Sequence, residues 1–294
     1  MSQMMTQIKI GDVTVAKVVE LDRSSYDVAA MLPESTPERI EAQRDWLGPE
    51  LLDAATGVHK ASIHSYVVRT PQHTVVIDTC VGNDKPRNGV QPWHMRRGPY
   101  LEDLASVGVK PEDVDLVICT HLHVDHVGWN TRFDNGHWVP TFPKAKYIFG
   151  RDEFEFWKKE SETGREEFGL IDDSVMPIVD AGRASLVESD YVIDDRLQLE
   201  PSPGHTPGHV CVRLRTKAGQ AVFTGDMMHR PIQVAETDWN SRFCTDADLA
   251  RKTRKTFVER HADADVTILA AHFPVPGRIV APGGKTRFRP LAAS

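Results

Sequence analysis

The stretch from Asp115 to Gly128 constrains this chain more than any other part of its sequence. Its apolar residues Leu116-Val117-Ile118 are typical of a short buried strand. Two residues later come three histidines and an aspartate: His121, His123, Asp125 and His126. In an extended or tightly turned segment, residues two apart point the same way, so His121 and His123 can bind one ion while Asp125 and His126 turn toward a second. Since imidazole and carboxylate are ligands of zinc and neighbouring metals, the stretch predicts a metal-binding loop at a strand end.

Three more ligand-type residues follow apolar strands further along the chain. His205 lies in the run Pro201–His209, Asp226 follows Gly225, and His272 follows Ala270-Ala271. Each stands where a strand gives way to a turn rich in Gly, Ala or Pro. The pattern His-x-His-x-Asp-His, followed by these three residues in this order, resembles the metallo-β-lactamase superfamily along most of the chain.

The resemblance implies an α+β fold, an αββα sandwich of two packed β-sheets with outer helices and a two-metal site on one edge. His121, His123 and His205 would hold the first ion, His126, Asp125 and His272 the second, and Asp226 would bridge them. His209 competes with His205 for the role of ligand. Two divalent ions are therefore expected as cofactors, with zinc as the first choice and iron, manganese or cobalt also compatible with the donors.

The chemistry implied by two such ions is hydrolysis of a small molecule by a metal-bound hydroxide, which attacks a lactone or ester carbonyl. Asp125 would carry a proton to the leaving group in addition to binding metal. The chain resembles most the group containing N-acyl homoserine lactonases, 4-pyridoxolactonase and methyl-parathion-hydrolase-like esterases. Similar lactonases carry a tyrosine three residues after the bridging aspartate, where this chain has His229, which we take as a second catalytic residue able to donate a hydrogen bond to the substrate carbonyl.

A lactonase is thus the expected function, and an aryl esterase or phosphotriesterase of the same fold is the alternative. A glutathione-thioester hydrolase fits less well, because the glycine pair typical of that branch is replaced by Gly128-Trp129-Asn130. A non-catalytic metal-binding sensor is the alternative from a different class of protein.

Charge and apolar content indicate which kinds of partner the protein can have. The net charge is −7, and no long basic run is present, so nucleic acid is not expected as a partner. No apolar run is long enough to span a membrane, and Met1–Ile10 lacks the pattern of a signal peptide, so we expect a cytoplasmic protein without membrane contact. The cysteines are isolated, and Cys80, Cys119 and Cys211 fall in or beside expected strands, which indicates buried free thiols.

The pattern along the chain predicts one hydrolase domain over residues 1–294, with an additional segment at about 21–57. Thr36-Pro37 predicts a helix start in that segment, which we interpret either as a cap over the site or as the contact of a homodimer. Strand pairs are expected at 8–19, 62–79 and 210–224, and helices at 99–108, 151–159 and 246–261. Asp78, at the end of one strand, is either a support of the metal loop or a plain turn residue.

Overall fold

The computed structural model describes residues 7–22, 27–53 and 55–292 and divides into two compact units. The first unit comprises Met1–Glu20 and Ile63–Tyr191, and the second comprises Leu21–Ser62 and Val192–Ser294. In chain order the strands are β1 (Gln7–Ile10), β2 (Val13–Asp22), β3 (Ser62–Arg69), β4 (Thr74–Ile77), β5 (Leu116–Ile118), β6 (Thr131–Asp134), β7 (His137–Pro140), β8 (Lys146–Gly150), β9 (Ala184–Val187), β10 (Leu197–Pro201), β11 (Val210–Thr216), β12 (Gly219–Phe223), β13 (Val266–Leu269), β14 (Gly277–Val280) and β15 (Arg287–Pro290). The helices are α1 (Val28–Met31), α2 (Pro37–Glu41), α3 (Tyr100–Ser106), α4 (Arg151–Glu162), α5 (Met176–Asp180) and α6 (Ala247–His261).

The first unit is built on a sheet whose described strands run in the order β1-β2-β3-β4-β5-β8-β9, and β6 and β7 form a small separate pair. Strands β4, β5, β8 and β9 are parallel neighbours, and Val75, Val76, Val117 and Ile118 within them are fully buried. Near-continuous apolar runs are typical of parallel strands covered on both faces. Because parallel strands end at the same edge, the loops after β4 and β5 begin side by side.

The second unit is built on a sheet with the strand order β10-β11-β12-β13-β14-β15. Strands β12 and β13 are parallel and therefore end at the same edge of the sheet. The segments that follow them carry Asp226 and His272, respectively. The hydrophobic core of this unit includes Phe257 and Val258 from α6, and Ile279 and Phe288 from the last two strands. The segment before β3 contributes to the same core with Val28, Met31, Leu32, Leu47, Leu51 and Leu52. Its residues 23–26 and 54 lie outside the described residues, and its role as a cap or dimer contact stays a prediction.

Local signals located several elements correctly. The Thr36 side chain accepts a hydrogen bond from the Arg39 amide and begins α2, and Asp246 caps α6 through the Leu249 amide. The three expected strand pairs and the helices α3, α4 and α6 are confirmed. Strands β6, β7, β9, β14 and β15 were not expected, since each has only four residues and weak alternation. Cys80, Cys119 and Cys211 are buried free thiols, as expected, whereas Cys244 is half-buried. Within the described ranges, no helix is both long and apolar enough to cross a bilayer.

Candidate metal centre

Each unit carries one part of the expected ligand set. In the first unit the loop after β5 brings its four ligand-type side chains together. The ring centroid of His121 lies 4.6 Å from that of His123 and 4.1 Å from that of His126. His126 Nε2 lies 3.8 Å from the Asp125 carboxylate. His121 and His126 are buried, whereas His123 and Asp125 are half-buried. The loop therefore presents three imidazoles and one carboxylate from a stretch of six residues.

Asp78 supports this loop from the end of the neighbouring strand β4. Its Oδ1 accepts the Thr120 backbone N–H at 2.8 Å, and its Oδ2 lies 3.0 Å from His126 Nδ1. Asp78 itself has a positive φ of 56°, which turns the chain sharply after β4. The carboxylate is buried and shared between the start of the loop and one of its histidines. Of the two interpretations left open by the sequence, these contacts favour support of the metal loop.

Glu153 supports the loop from the first turn of α4, and sequence reasoning missed it. The carboxylate is 1% exposed, and its Oε1 accepts hydrogen bonds from the Leu122 backbone N–H at 2.9 Å and from Trp157 Nε1 at 2.7 Å. The Trp157 ring in turn packs edge-on against His123, with ring centroids 5.2 Å apart. Glu153 and Trp157 are four residues apart and therefore share one helix face, which is the only local signal of their pairing.

Gly128 and Glu20 fix the far end of the same loop. A Cβ atom at Gly128 would lie only 1.9 Å from the Val81 carbonyl group, so only glycine allows this approach of two backbones. Glu20 accepts the Val81 N–H at 2.8 Å and the Trp129 Nε1–H at 2.7 Å. Burial raises the pKa of Glu20, while its hydrogen bonds and Arg96 oppose that shift.

In the second unit the carboxylate of Asp226 is surrounded by three histidines. Its oxygens lie 3.4 Å from His205 Nε2, 3.1 Å from His229 Nε2 and 3.1 Å from His272 Nε2. All four residues are buried, and Asp226, His229 and His272 offer ligand atoms within 4.8 Å of one another. The three predicted ligands of this half are thus brought together, and His229 belongs to the same cluster.

His209, the alternative to His205, contacts Asp226 differently. Its Nε2 accepts the backbone N–H of Asp226 at 3.0 Å, and its Nδ1 lies 2.7 Å from Ser202 Oγ. Because Nε2 accepts, the proton of the neutral ring sits on Nδ1 and is donated to Ser202. His209 therefore orients the backbone of Asp226, while the His205 ring approaches the Asp226 carboxylate.

His229 is packed between the other two imidazoles. Its ring stacks on His272, with centroids 5.4 Å apart, and meets the His205 ring edge-on at 5.0 Å. Burial lowers the pKa of His229, and the adjacent Asp226 carboxylate opposes that shift. Its backbone N–H donates to Gln233 Oε1 at 2.6 Å, which anchors the residue to the short turn Pro231–Val234 that follows it.

The donor set of each unit has the chemistry that a divalent metal needs. In the first unit His121 Nδ1 lies 3.1 Å from Thr120 Oγ1, and His126 Nδ1 contacts Asp78. In the second unit His272 Nδ1 lies 3.1 Å from the Ser62 carbonyl oxygen. Metal-binding histidines commonly engage their second nitrogen in this way, which fixes the tautomer and presents Nε2 to the ion. The residues present therefore fit divalent metal binding.

Comparison with known proteins agrees with this fold and donor set. The sequence pattern of the Metallo-beta-lactamase superfamily matches residues 61–281. The chain belongs to the metallo-β-lactamase superfamily. The expected family and fold class are thereby confirmed, since both units combine a β-sheet with helices.

Individual relatives and solved structures are also similar to this chain. An N-acyl homoserine lactonase of Bacillus cereus is 28% identical over 177 residues, 55% of this chain and 62% of that protein. The match thus spans less than two thirds of the relative's length. A crystal structure of hydrolase AbOPH in the beta lactamase superfamily aligns with a TM-score of 0.80 and 24% identity, covering 99% of this chain and 98% of that chain. AidC, a dizinc quorum-quenching lactonase in complex with a product, aligns with a TM-score of 0.76 and 18% identity, covering 98% and 97%. At these identities, the two structures show the fold alone.

Proposed function

We propose that this superfamily member is a metal-dependent hydrolase that opens small lactones. The observation that carries the proposal is the gathering of ligand-type side chains after β5 in one unit and around Asp226 in the other. Relatives named N-acyl homoserine lactonase support a lactone as the substrate class.

Two divalent ions, with zinc as first choice, are the proposed cofactors. In this proposal His121, His123 and His205 would hold the first ion, His126, Asp125 and His272 would hold the second, and Asp226 would be shared by both. When bound, such ions supply an activated water near neutral pH and polarise the substrate carbonyl. The assignment is supported by the superfamily's ligand order and by the nitrogen orientations described above.

The protein's own groups have separate tasks in the proposed reaction. Asp125 is the least buried carboxylate of the ligand set, with 14% of its side chain exposed, so it can take up a proton and deliver it to the leaving oxygen. His229 orients the Asp226 carboxylate through Nε2. No described residue hydrogen-bonds to His229 Nδ1, which is buried and is the atom we assign to the substrate. Because the Asp226 carboxylate only accepts, Nε2 carries the proton of the neutral His229 ring, and Nδ1 is left to accept a hydrogen bond from the substrate rather than to donate one.

An aryl ester or phosphotriester is the second candidate substrate. Trp157 is half-buried and packs on the half-buried ligand His123, so an aromatic surface lies beside the first metal position. Aromatic side chains favour flat apolar substrate groups. A preference for aryl over alkyl groups, lost in Trp157→Ala, would support this candidate.

Homodimerisation through residues 21–57 and a cytoplasmic location remain proposals. Leu32 and Leu51 are fully buried within their own chain, so a partner would have to use exposed parts of the segment such as Glu38 and Glu41. The free thiols are compatible with a reducing compartment. Light scattering that gives the monomer mass at micromolar concentration would contradict the dimer.

The function is tested by measuring proton release on a panel of lactones, since ring opening produces an acid. Zinc- or manganese-loaded protein is titrated in a weak buffer with short and long acyl homoserine lactones and aryl-fused lactones. We expect turnover that is abolished by a chelator and by His123→Ala and is retained in His137→Ala, which changes an exposed histidine of β7. Metal-replete protein that opens no lactone but hydrolyses aryl esters would favour the second candidate. If it hydrolyses neither class, the hydrolase proposal is wrong.

A further inference from the structure

A cleft beside the last two strands of the second unit has no part in the proposed hydrolysis. It has a volume of about 540 Å³, within the range of small-molecule sites. Three arginines line it, Arg278 on β14 and Arg287 and Arg289 on β15. Trp46 lies on its wall. None of these residues belongs to the proposed ligand set.

The strand register places the three guanidinium groups on one face of the hairpin. Arg278 pairs with Arg289, and Val280 pairs with Arg287, in the antiparallel ladder. Ile279 and Phe288 alternate with them, are each 1% exposed and belong to the hydrophobic core. Since directly opposed like charges destabilise a strand pair, negative charge on the arginine face would stabilise the pairing of Arg278 with Arg289.

The carboxylates nearby supply only part of that charge. Arg278 contacts Asp265 at 2.6 Å and Arg287 contacts Asp45 at 3.0 Å, but both aspartate side chains are largely exposed, at 80% and 61%. Exposed ion pairs contribute little, so a ligand can compete with them. No described carboxylate lies within ion-pair distance of Arg289. The Asp263 carboxylate, which also lines the cleft, accepts the Ala281 backbone N–H at 3.0 Å.

Buried hydrogen-bond donors of the arginine side chains also indicate an anionic ligand. The Nε atoms of Arg278 and Arg287 are buried, and no described residue accepts a hydrogen bond from either. A guanidinium group presents its donors in a planar fork that matches phosphate oxygens. The indole N–H of Trp46 already donates to Gln43 at 2.9 Å, so its half-buried ring is held in place as a flat apolar wall.

We propose that this cleft binds a dianionic phosphate group, either inorganic phosphate or the phosphate of a small monoester whose organic part contacts Trp46. The phosphate takes hydrogen bonds from the three arginines and adds to the negative charge that Asp45 and Asp265 supply only in part. This binding is independent of the proposed hydrolase activity. The cleft is therefore a ligand site separate from the metal centre.

The test combines calorimetric titration with hydrogen–deuterium exchange of the metal-loaded protein. Inorganic phosphate and phenyl phosphate are the probes, and sodium chloride at equal ionic strength is the control. We expect saturable binding and slower exchange in peptides spanning 277–290. Arg289→Gln and Arg278→Gln should each weaken binding by about tenfold, because each removes charge-assisted hydrogen bonds. Arg151→Gln, which removes a surface arginine paired with Glu188, should bind like the wild type.

A second variant separates this site from phosphate bound by the metals. The His123→Ala variant should lose lactone hydrolysis, and phosphate should still slow hydrogen–deuterium exchange in its residues 277–290. Tighter binding of phenyl phosphate that is lost in Trp46→Ala would identify a monoester site, and equal binding of both probes would identify a phosphate site. Three results would each overturn the proposal: no saturable binding up to about 10 mM, equal protection by chloride, or full binding by both arginine variants.

Discussion

Glu153 Oε1 accepts the backbone N–H of Leu122 at 2.9 Å, so a carboxylate on α4 holds the peptide between the proposed ligands His121 and His123. The same oxygen accepts the indole N–H of Trp157, whose ring packs on His123. The loop is therefore held by Asp78 at its start and by Glu153 at its centre. Asp78 and Glu153 thus orient the proposed ligands without using the atoms that are proposed to bind metal.

Replacing Glu153 by alanine should weaken metal binding by about 10- to 100-fold, as loss of a group that orients ligands does in other metal sites. Competition with a chromophoric chelator measures this change. Glu153→Gln should recover much of the affinity, since its amide oxygen can still accept both hydrogen bonds. Glu155→Ala, at an exposed position of the same helix, is the matched control. Equal affinities for the two alanine variants would contradict the role of Glu153.

Replacing His209 by alanine should reduce metal affinity and also lower the free energy of unfolding by about 1–3 kcal/mol, because the buried Asp226 N–H loses its acceptor. Denaturant unfolding of the metal-free protein measures the stability, and chelator competition measures the affinity. Ser202→Ala should have a smaller effect, since it removes the partner of His209 Nδ1 but leaves the acceptor of the Asp226 N–H in place. If His209→Ala abolished metal binding completely while the protein stayed folded, His209 would have to be reassigned as a ligand.

Replacing Gly128 by alanine should destabilise the protein by about 3 kcal/mol, the upper range for overpacking in a rigid environment. The added Cβ meets the backbone of Val81, which Glu20 holds in place. Gly48→Ala is the control, because a Cβ there meets only the side-chain end of Glu50. Thermal unfolding of both variants measures the difference, and similar melting temperatures would show that the loop can move aside.

Acidification should destabilise the second unit through His59. Burial lowers the pKa of this histidine to about 4, and Arg230 and Arg44 add to the shift. Its unfolded pKa is higher, near 6.5, so the unfolded chain binds more protons between these values, and stability falls as the pH drops from about 6.5 to about 4.

Protonation of His59 should lower the free energy of unfolding by about 3 kcal/mol at most. Urea unfolding at pH 7.5 and pH 4.5 should show a smaller loss for His59→Leu than for the wild type, with His137→Leu as the control. An identical loss in the wild type and His59→Leu would show that other groups govern the acid sensitivity.

Contacts that depend on distant residues could not be predicted from the sequence. Glu20, Asp78 and Glu153 all support the first metal loop, yet their contacts with Trp129, His126 and Leu122 join residues 109, 48 and 31 positions apart. A single acidic residue creates no repeating pattern in the sequence that would reveal its burial or its partner. The arginine face of β14 and β15 was missed for a similar reason, because two four-residue strands acquire their register only by pairing.

The sequence by itself determined the family, the fold class and the types of ligand available, because strand-end histidines and aspartates in a characteristic order are a local pattern. It also determined the helix starts at Thr36 and Asp246, where a side chain caps its own helix. Only the tertiary structure decided which nitrogen of each histidine is engaged, and that His209 binds the Asp226 backbone. Hydrogen-bond direction and burial depend on which strand ends meet at a sheet edge, and that meeting is set by long-range packing.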